Sequence, residues 1–114
     1  MEEHTALSAS FLSNDSGALR RLLDSNLIVQ PPLPDSAQQG AAAIEYLLGL
    51  AAETSVLESR LEPQIAVPEG PFVFEQGAWV LRNGRRMLRA PYTLRWHATP
   101  EGWRVVLWRW GTFR

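Results

Sequence analysis

Trp79-Val80-Leu81-Arg82-Asn83-Gly84-Arg85-Arg86-Met87-Leu88, followed by Tyr92-Thr93-Leu94-Arg95-Trp96 and Trp103-Arg104-Val105-Val106-Leu107-Trp108-Arg109-Trp110, is the stretch whose reading decides the fold. Runs of β-branched and aromatic residues alternate with turn signals, the mark of an antiparallel meander. All 5 tryptophans lie in it. Asn83-Gly84 suits a two-residue type I′ turn, because both residues tolerate positive φ. Thr99-Pro100-Glu101-Gly102 closes the second hairpin. With those loops Arg82 faces Arg85, Gln76 faces Pro91, Trp103 faces Ala98 and Trp108 faces Thr93.

Side chains alternate between the faces of a strand, so these registers sort the meander into two surfaces. One holds Phe72, Phe74, Gln76, Thr93, Arg95, His97, Arg104, Val106, Trp108 and Trp110. The other holds Val73, Glu75, Trp79, Leu88, Tyr92, Leu94, Trp96, Trp103, Val105 and Leu107. Both are rich in large apolar groups, whereas a sheet covered on one side leaves a polar face. Two apolar faces imply two contacts, one with helices and one with a second copy of the chain.

Upstream, Leu7, Phe11 and Leu12 have helical spacing over residues 4–12. Ser13-Asn14-Asp15-Ser16 is a helix-start cluster, followed by the stripe Ala18, Leu19, Leu22 and Leu23. Leu27-Ile28-Val29 is a brief strand that Pro31, Pro32 and Pro34 stop. Gly40 precedes a third helix, to about Ala52, with Ile44, Leu47 and Leu48 on one face. Leu57 to Val67 alternates as a strand with one wet face, and Pro68-Glu69-Gly70-Pro71 is a turn. Gly77 inside a strand marks a bulge that bends the sheet. Helices early and sheet late define the α+β class, in one domain over residues 1–114.

The 114 residues carry a formal net charge of −1, so no global field favours nucleic acid. There is no cysteine, which removes disulfides, thiolate metal sites and a cysteine nucleophile. All 11 basic residues are arginine, so no Schiff-base or P-loop lysine exists. No apolar run approaches the roughly 20 residues of a membrane helix, and Met1-Glu2-Glu3-His4 does not open a signal peptide. The expectation is a soluble cytoplasmic protein with no cofactor and no metal, since nothing has ligand spacing.

Several segments together resemble the nuclear transport factor 2-like superfamily (cystatin-like fold), particularly its SnoaL-like and ketosteroid-isomerase-like bacterial members. They are Asp15-Ser16-Gly17-Ala18-Leu19, Gly40-Ala41-Ala42-Ala43-Ile44, Phe74-Glu75-Gln76-Gly77, Tyr92-Thr93-Leu94-Arg95-Trp96 and Gly102-Trp103-Arg104-Val105-Val106. Their order and spacing over most of residues 13–111 carry the resemblance. It implies a cone-shaped α+β barrel, in which a curved antiparallel sheet wraps around N-terminal helices and encloses a pocket. It also implies a homodimer through the convex side of the sheet. The resemblance assigns the face with Arg95 and Trp108 to the interior, and Tyr92, Leu94, Trp96, Trp103 and Val105 to the partner. The isomerase acids correspond to Pro31 and Thr93, and the first helix lacks the family's tyrosine, so no catalytic residue is assigned.

On that assignment Arg95 sits among Phe72, Phe74, Val106 and Trp108, with no acid on its face of the adjacent strands. It either awaits a carboxylate or phosphate, bound bidentately, or lies at the rim, stacked on an aromatic ring. Trp108 and Trp110 either stack on a flat ligand or are core. Gln76 and Thr93 orient a ligand or bind internal water, and Phe74 completes the lining. His97, at a hairpin end beside Arg104, reads as exposed. Arg82, Arg85, Arg86 and Arg89 read as a partly paired surface rather than a nucleic-acid site. The expected function is non-catalytic binding of a partly apolar anionic molecule. An isomerase, cyclase or lyase and a dimerisation module with a filled cone are the alternatives.

Overall fold

A computed structural model describes residue 7 and residues 15–53 and 58–114 of the chain. Helix α1 (Ser16–Leu22) starts where Asp15, as N-cap, accepts the backbone N–H of Ala18 at 3.0 Å. It runs directly into β1 (Leu23–Gln30). A loop through the prolines leads to the two-residue β2 (Gln38–Gln39). Gly40, at φ 66°, turns the chain into α2 (Ala41–Glu53). Four long strands follow: β3 (Glu58–Glu69), β4 (Phe72–Asn83), β5 (Arg86–Thr99) and β6 (Gly102–Trp110). The expected helix over residues 4–12 lies outside the described residues except for Leu7, which is fully buried.

The strands form one sheet in the order β2-β1-β6-β5-β4-β3. The β1–β6 pair is parallel and the others are antiparallel. The helices cover one face. Ala43, Leu47 and Ala51 recur at helical spacing on α2 and pack with Leu19, Leu23 and Leu27 into the core. The sheet contributes Leu61, Trp79, Tyr92, Leu94, Trp96, Val105, Trp108 and Trp110 to the same core.

This reverses the expected facing of the sheet. Tyr92, Leu94, Trp96 and Val105 are no more than 3% exposed beneath the helices, and Trp103 packs against them. None of these five faces outward. The residues expected inside, Phe74, Gln76, Thr93 and Arg95, occupy the outer face. Gln76 is opposite Thr93 and Phe74 opposite Arg95.

Trp108 and Trp110 are nevertheless inside, because β6 carries an extra residue. Arg95 pairs with Leu107 but Trp96 with Val105, so Val106 is a bulge. Trp108 therefore faces Leu94 rather than Thr93. At the β4–β5 tip Asn83 pairs with Arg86, so the loop is Gly84-Arg85, with Gly84 at φ 63°. The β4–β5 register moves by two residues and keeps its facing. Trp103 pairs with Ala98 as expected.

A second bulge bends the β3–β4 ribbon between Pro63 and Ile65, opposite Gly77 and Gln76. A Cβ on residue 77 would lie 2.0 Å from the Glu62 carbonyl oxygen. Only glycine admits that approach, which is the structural role expected of Gly77.

Candidate functional site

Where α2, the proline loop and the inner face of the sheet diverge, the core opens into a cleft of about 220 Å³. Trp79, Leu81, Trp110 and Phe113 form the sheet side, Tyr46 and Leu50 come from α2, and Pro32 and Asp35 come from the loop. Each wall has a local cause. Tyr46 and Leu50 are one helical turn apart and flank the buried stripe of α2. Beyond β6 the chain stays paired to β5: Gly111 N–H donates to Pro91, and Arg89 and Arg114 exchange hydrogen bonds of 2.9 and 3.0 Å. That pairing carries Phe113 to Trp79, with ring centroids 5.3 Å apart.

The aromatic wall is rigid. Trp79 meets Trp108 at 5.1 Å and Trp110 edge-on at 5.4 Å, and its indole N–H donates to the buried Ser59 hydroxyl at 3.0 Å. The polar groups at the mouth are the Asp35 carboxylate and the Tyr46 hydroxyl, which donates to Asp35 Oδ2 at 2.8 Å. Deeper in the inner face, Tyr92 donates to Glu75 Oε2 at 2.5 Å. Both residues are buried. Burial, and next the bond to Glu75, hold the Tyr92 phenol well above the usual tyrosine range. This pair is buried and does not line the cleft.

Of the six residues expected to bind a ligand, only Trp110 lines the cleft; Trp108 lies behind it in the core. Gln76 and Thr93 line a wider outer groove with Gln64, Ile65 and Arg109. Its polar floor is exposed at Gln64, Gln76 and Arg109, so that groove is open surface. Phe74 and Arg95 are partners on the outer face, with the guanidinium carbon 3.9 Å from the Phe72 ring centroid and 5.1 Å from that of Phe74. Arg95 Nε is buried there without a hydrogen-bond partner. His97 stacks on the other neighbour of this ladder, Phe72, at 4.6 Å. Thr93 cannot serve as an oxyanion donor in the cone, since it faces away from it.

Sequence reasoning placed none of the other seven lining residues in a site, Asp35, Tyr46 and Phe113 among them. The available signal was the helical offset of Tyr46 from Leu50 and the acid next to the prolines that stop β1. Phe113 gave no signal, because its position depends on pairing beyond the last strand. Among the described residues no group of His, Asp or Glu is placed to hold a metal ion, and no helix is long and apolar enough to cross a membrane.

No protein-family model and no curated protein sequence matches the chain. Solved structures do match over nearly its whole length. A candidate calcium/calmodulin-dependent protein kinase type II association domain from Thiobacillus denitrificans superposes with a TM-score of 0.86 at 14% identity, covering 98% of this chain and 93% of that one. An NTF2-like protein of unknown function from Pseudomonas putida gives 0.79 at 9% identity, covering 96% and 81%. A candidate ketosteroid isomerase from Parabacteroides distasonis gives 0.73 at 14% identity, covering 90% and 79%. At these identities the likeness establishes the fold alone: the chain has the NTF2-like α+β cone fold of nuclear transport factor 2.

Proposed function

We propose that this domain binds a small, mainly apolar molecule in the cleft between α2, the proline loop and the inner face of the sheet. The observation that carries this reading is the wall of Trp79, Trp110 and Phe113 around an open concavity, since ligand sites are concave, largely apolar and furnished with few polar groups. The anionic ligand expected from Arg95 has no support there, because Arg95 lies on the other face. Acid–base chemistry in this cleft, as an isomerase or lyase would need, would fall to Asp35 and Tyr46. Their pairing gives a binding role a polar anchor.

Thermal denaturation with cyclohexanol, a neutral apolar probe, tests the cleft. A ligand that binds only the folded state raises the melting temperature by mass action. The rise should appear in the wild type and vanish in Leu50→Trp, which fills the cleft. An equal rise in both would remove the cleft as the site.

A second reading, self-association through the outer face, is supported by a separate observation. Ile65 and Val67 are 55% and 46% exposed beside Phe74, and Arg95 Nε is desolvated without an acceptor. A second copy of the chain would cover the apolar strip and supply the acceptor, as a buried polar group requires. Sedimentation should then show a dimer at micromolar concentration and a monomer for Val67→Glu, with unchanged circular dichroism. A monomeric wild type would end this reading.

A further inference from the structure

We infer, building on the cleft reading above, that the molecule bound there is an organic ammonium ion. Four aromatic side chains surround one volume. Tyr46 and Trp110 have centroids 6.2 Å apart at 39°, Trp79 and Trp110 5.4 Å apart at 81°, and Trp79 and Phe113 5.3 Å apart at 68°. Rings turned at such angles present π-electron density from several directions, which is the arrangement that attracts alkylammonium groups. Among the described residues the charged side chain on the lining is Asp35, and no described arginine or histidine accompanies it.

Tyr46 fixes that carboxylate at the cleft by donating to Oδ2 at 2.8 Å. A cation in the cleft meets both the rings and the carboxylate. A neutral ligand of the same shape would strip water from Asp35 and return nothing, and an anion would be repelled. The cleft is thus matched in charge as well as in polarity.

Three probes share one shape and differ in charge: choline, 3,3-dimethylbutan-1-ol and 3,3-dimethylbutanoate. Their affinities for the full chain can be read by calorimetry and by quenching of tryptophan fluorescence. Choline should bind at least about tenfold more tightly than the alcohol, as one desolvated charge contact allows, and the carboxylate should bind weakest. Asp35→Asn, at an exposed position, should abolish the choline preference, chiefly by weakening choline. Phe113→Leu should weaken choline more than the alcohol, with unchanged circular dichroism. Equal binding of choline and the alcohol, or a preference that survives Asp35→Asn, overturns the ammonium assignment and leaves the cleft as an apolar site. Absence of binding by all three probes, together with no effect of cyclohexanol, overturns both.

Discussion

Both faces of the β4–β5 ribbon carry large aromatic and aliphatic groups, more of them on the inner face, and the two faces solve different problems. On the inner face two polar pairs are buried together: Trp79 with Ser59, and Tyr92 with Glu75. On the outer face, Arg95 apart, the charged groups of this ribbon and β3 are tied to each other in exposed ion pairs. Glu58 bridges Arg60 and Arg82, and Glu62 bridges Arg60 and Arg89, over the buried Val80. The presence of large apolar groups therefore does not by itself tell the faces apart. The manner in which their polar groups are satisfied does, because a buried group needs a fixed partner and an exposed one has water.

The sharpest way to break this contrast is Trp96→Glu. Trp96 is fully buried, and truncating a buried tryptophan alone costs about 3–5 kcal/mol. A carboxylate in its place adds an unpaired buried charge, worth several kcal/mol more. Against a typical total stability of about 5–15 kcal/mol the variant should not fold at neutral pH, as read by circular dichroism and urea titration. A folded Trp96→Glu protein would show that this side of the sheet is not the core.

The meander, its turns and the helix after Gly40 are legible from local chemistry, because periodicity and turn residues act within a few positions. The facing of the sheet is not, and two residues explain why. Val106 is an extra residue in β6, so an unbulged register places Trp108 and Trp110 beside Arg95 and draws aromatic weight to the wrong side. Glu75 makes the true inner face look wet, because its partner Tyr92 is distant in sequence. A usable signal was present nonetheless: Arg82, Arg89, Arg95 and Arg104 share one face, while the β4 and β5 residues of the other carry only Glu75 and, at the hairpin tip, Arg86. The cleft was less legible than the fold, since Asp35, Tyr46 and Phe113 meet only through tertiary packing.

A smaller effect sharpens the contrast from the inner side. Tyr92→Phe removes the donor to buried Glu75 and should cost about 1–3 kcal/mol at neutral pH. It should also change the alkaline limb. The Tyr92 phenol titrates above its unfolded value, so its contribution is intact below about pH 10. Above that the unfolded chain releases a proton that the folded chain keeps. Stability then falls by up to about 1.4 kcal/mol per pH unit. Urea titrations from pH 9 to 11 should show this fall in the wild type and a shallower one in Tyr92→Phe. Parallel curves would mean that the phenol is not sealed in the inner face.

The smallest expected effect comes from the outer side, and its smallness is the point. Glu62 accepts hydrogen bonds from Arg89 at 2.8 Å and Arg60 at 3.0 Å, and the Arg89 bond leads the causes that hold its carboxyl below the usual range. A group lowered in this way contributes above its unfolded value and loses that contribution as pH falls through the folded one. Because the pair is solvated, screening and side-chain entropy cancel most of the gain. Glu62→Gln should shift the melting temperature at pH 7 by less than about 2 °C, and molar salt should erase the difference. A large loss that persists in high salt would mean that the outer lattice is built like the inner one, with buried and obligatory partners. The distinction between the two faces would then fail on the side where it is easiest to test.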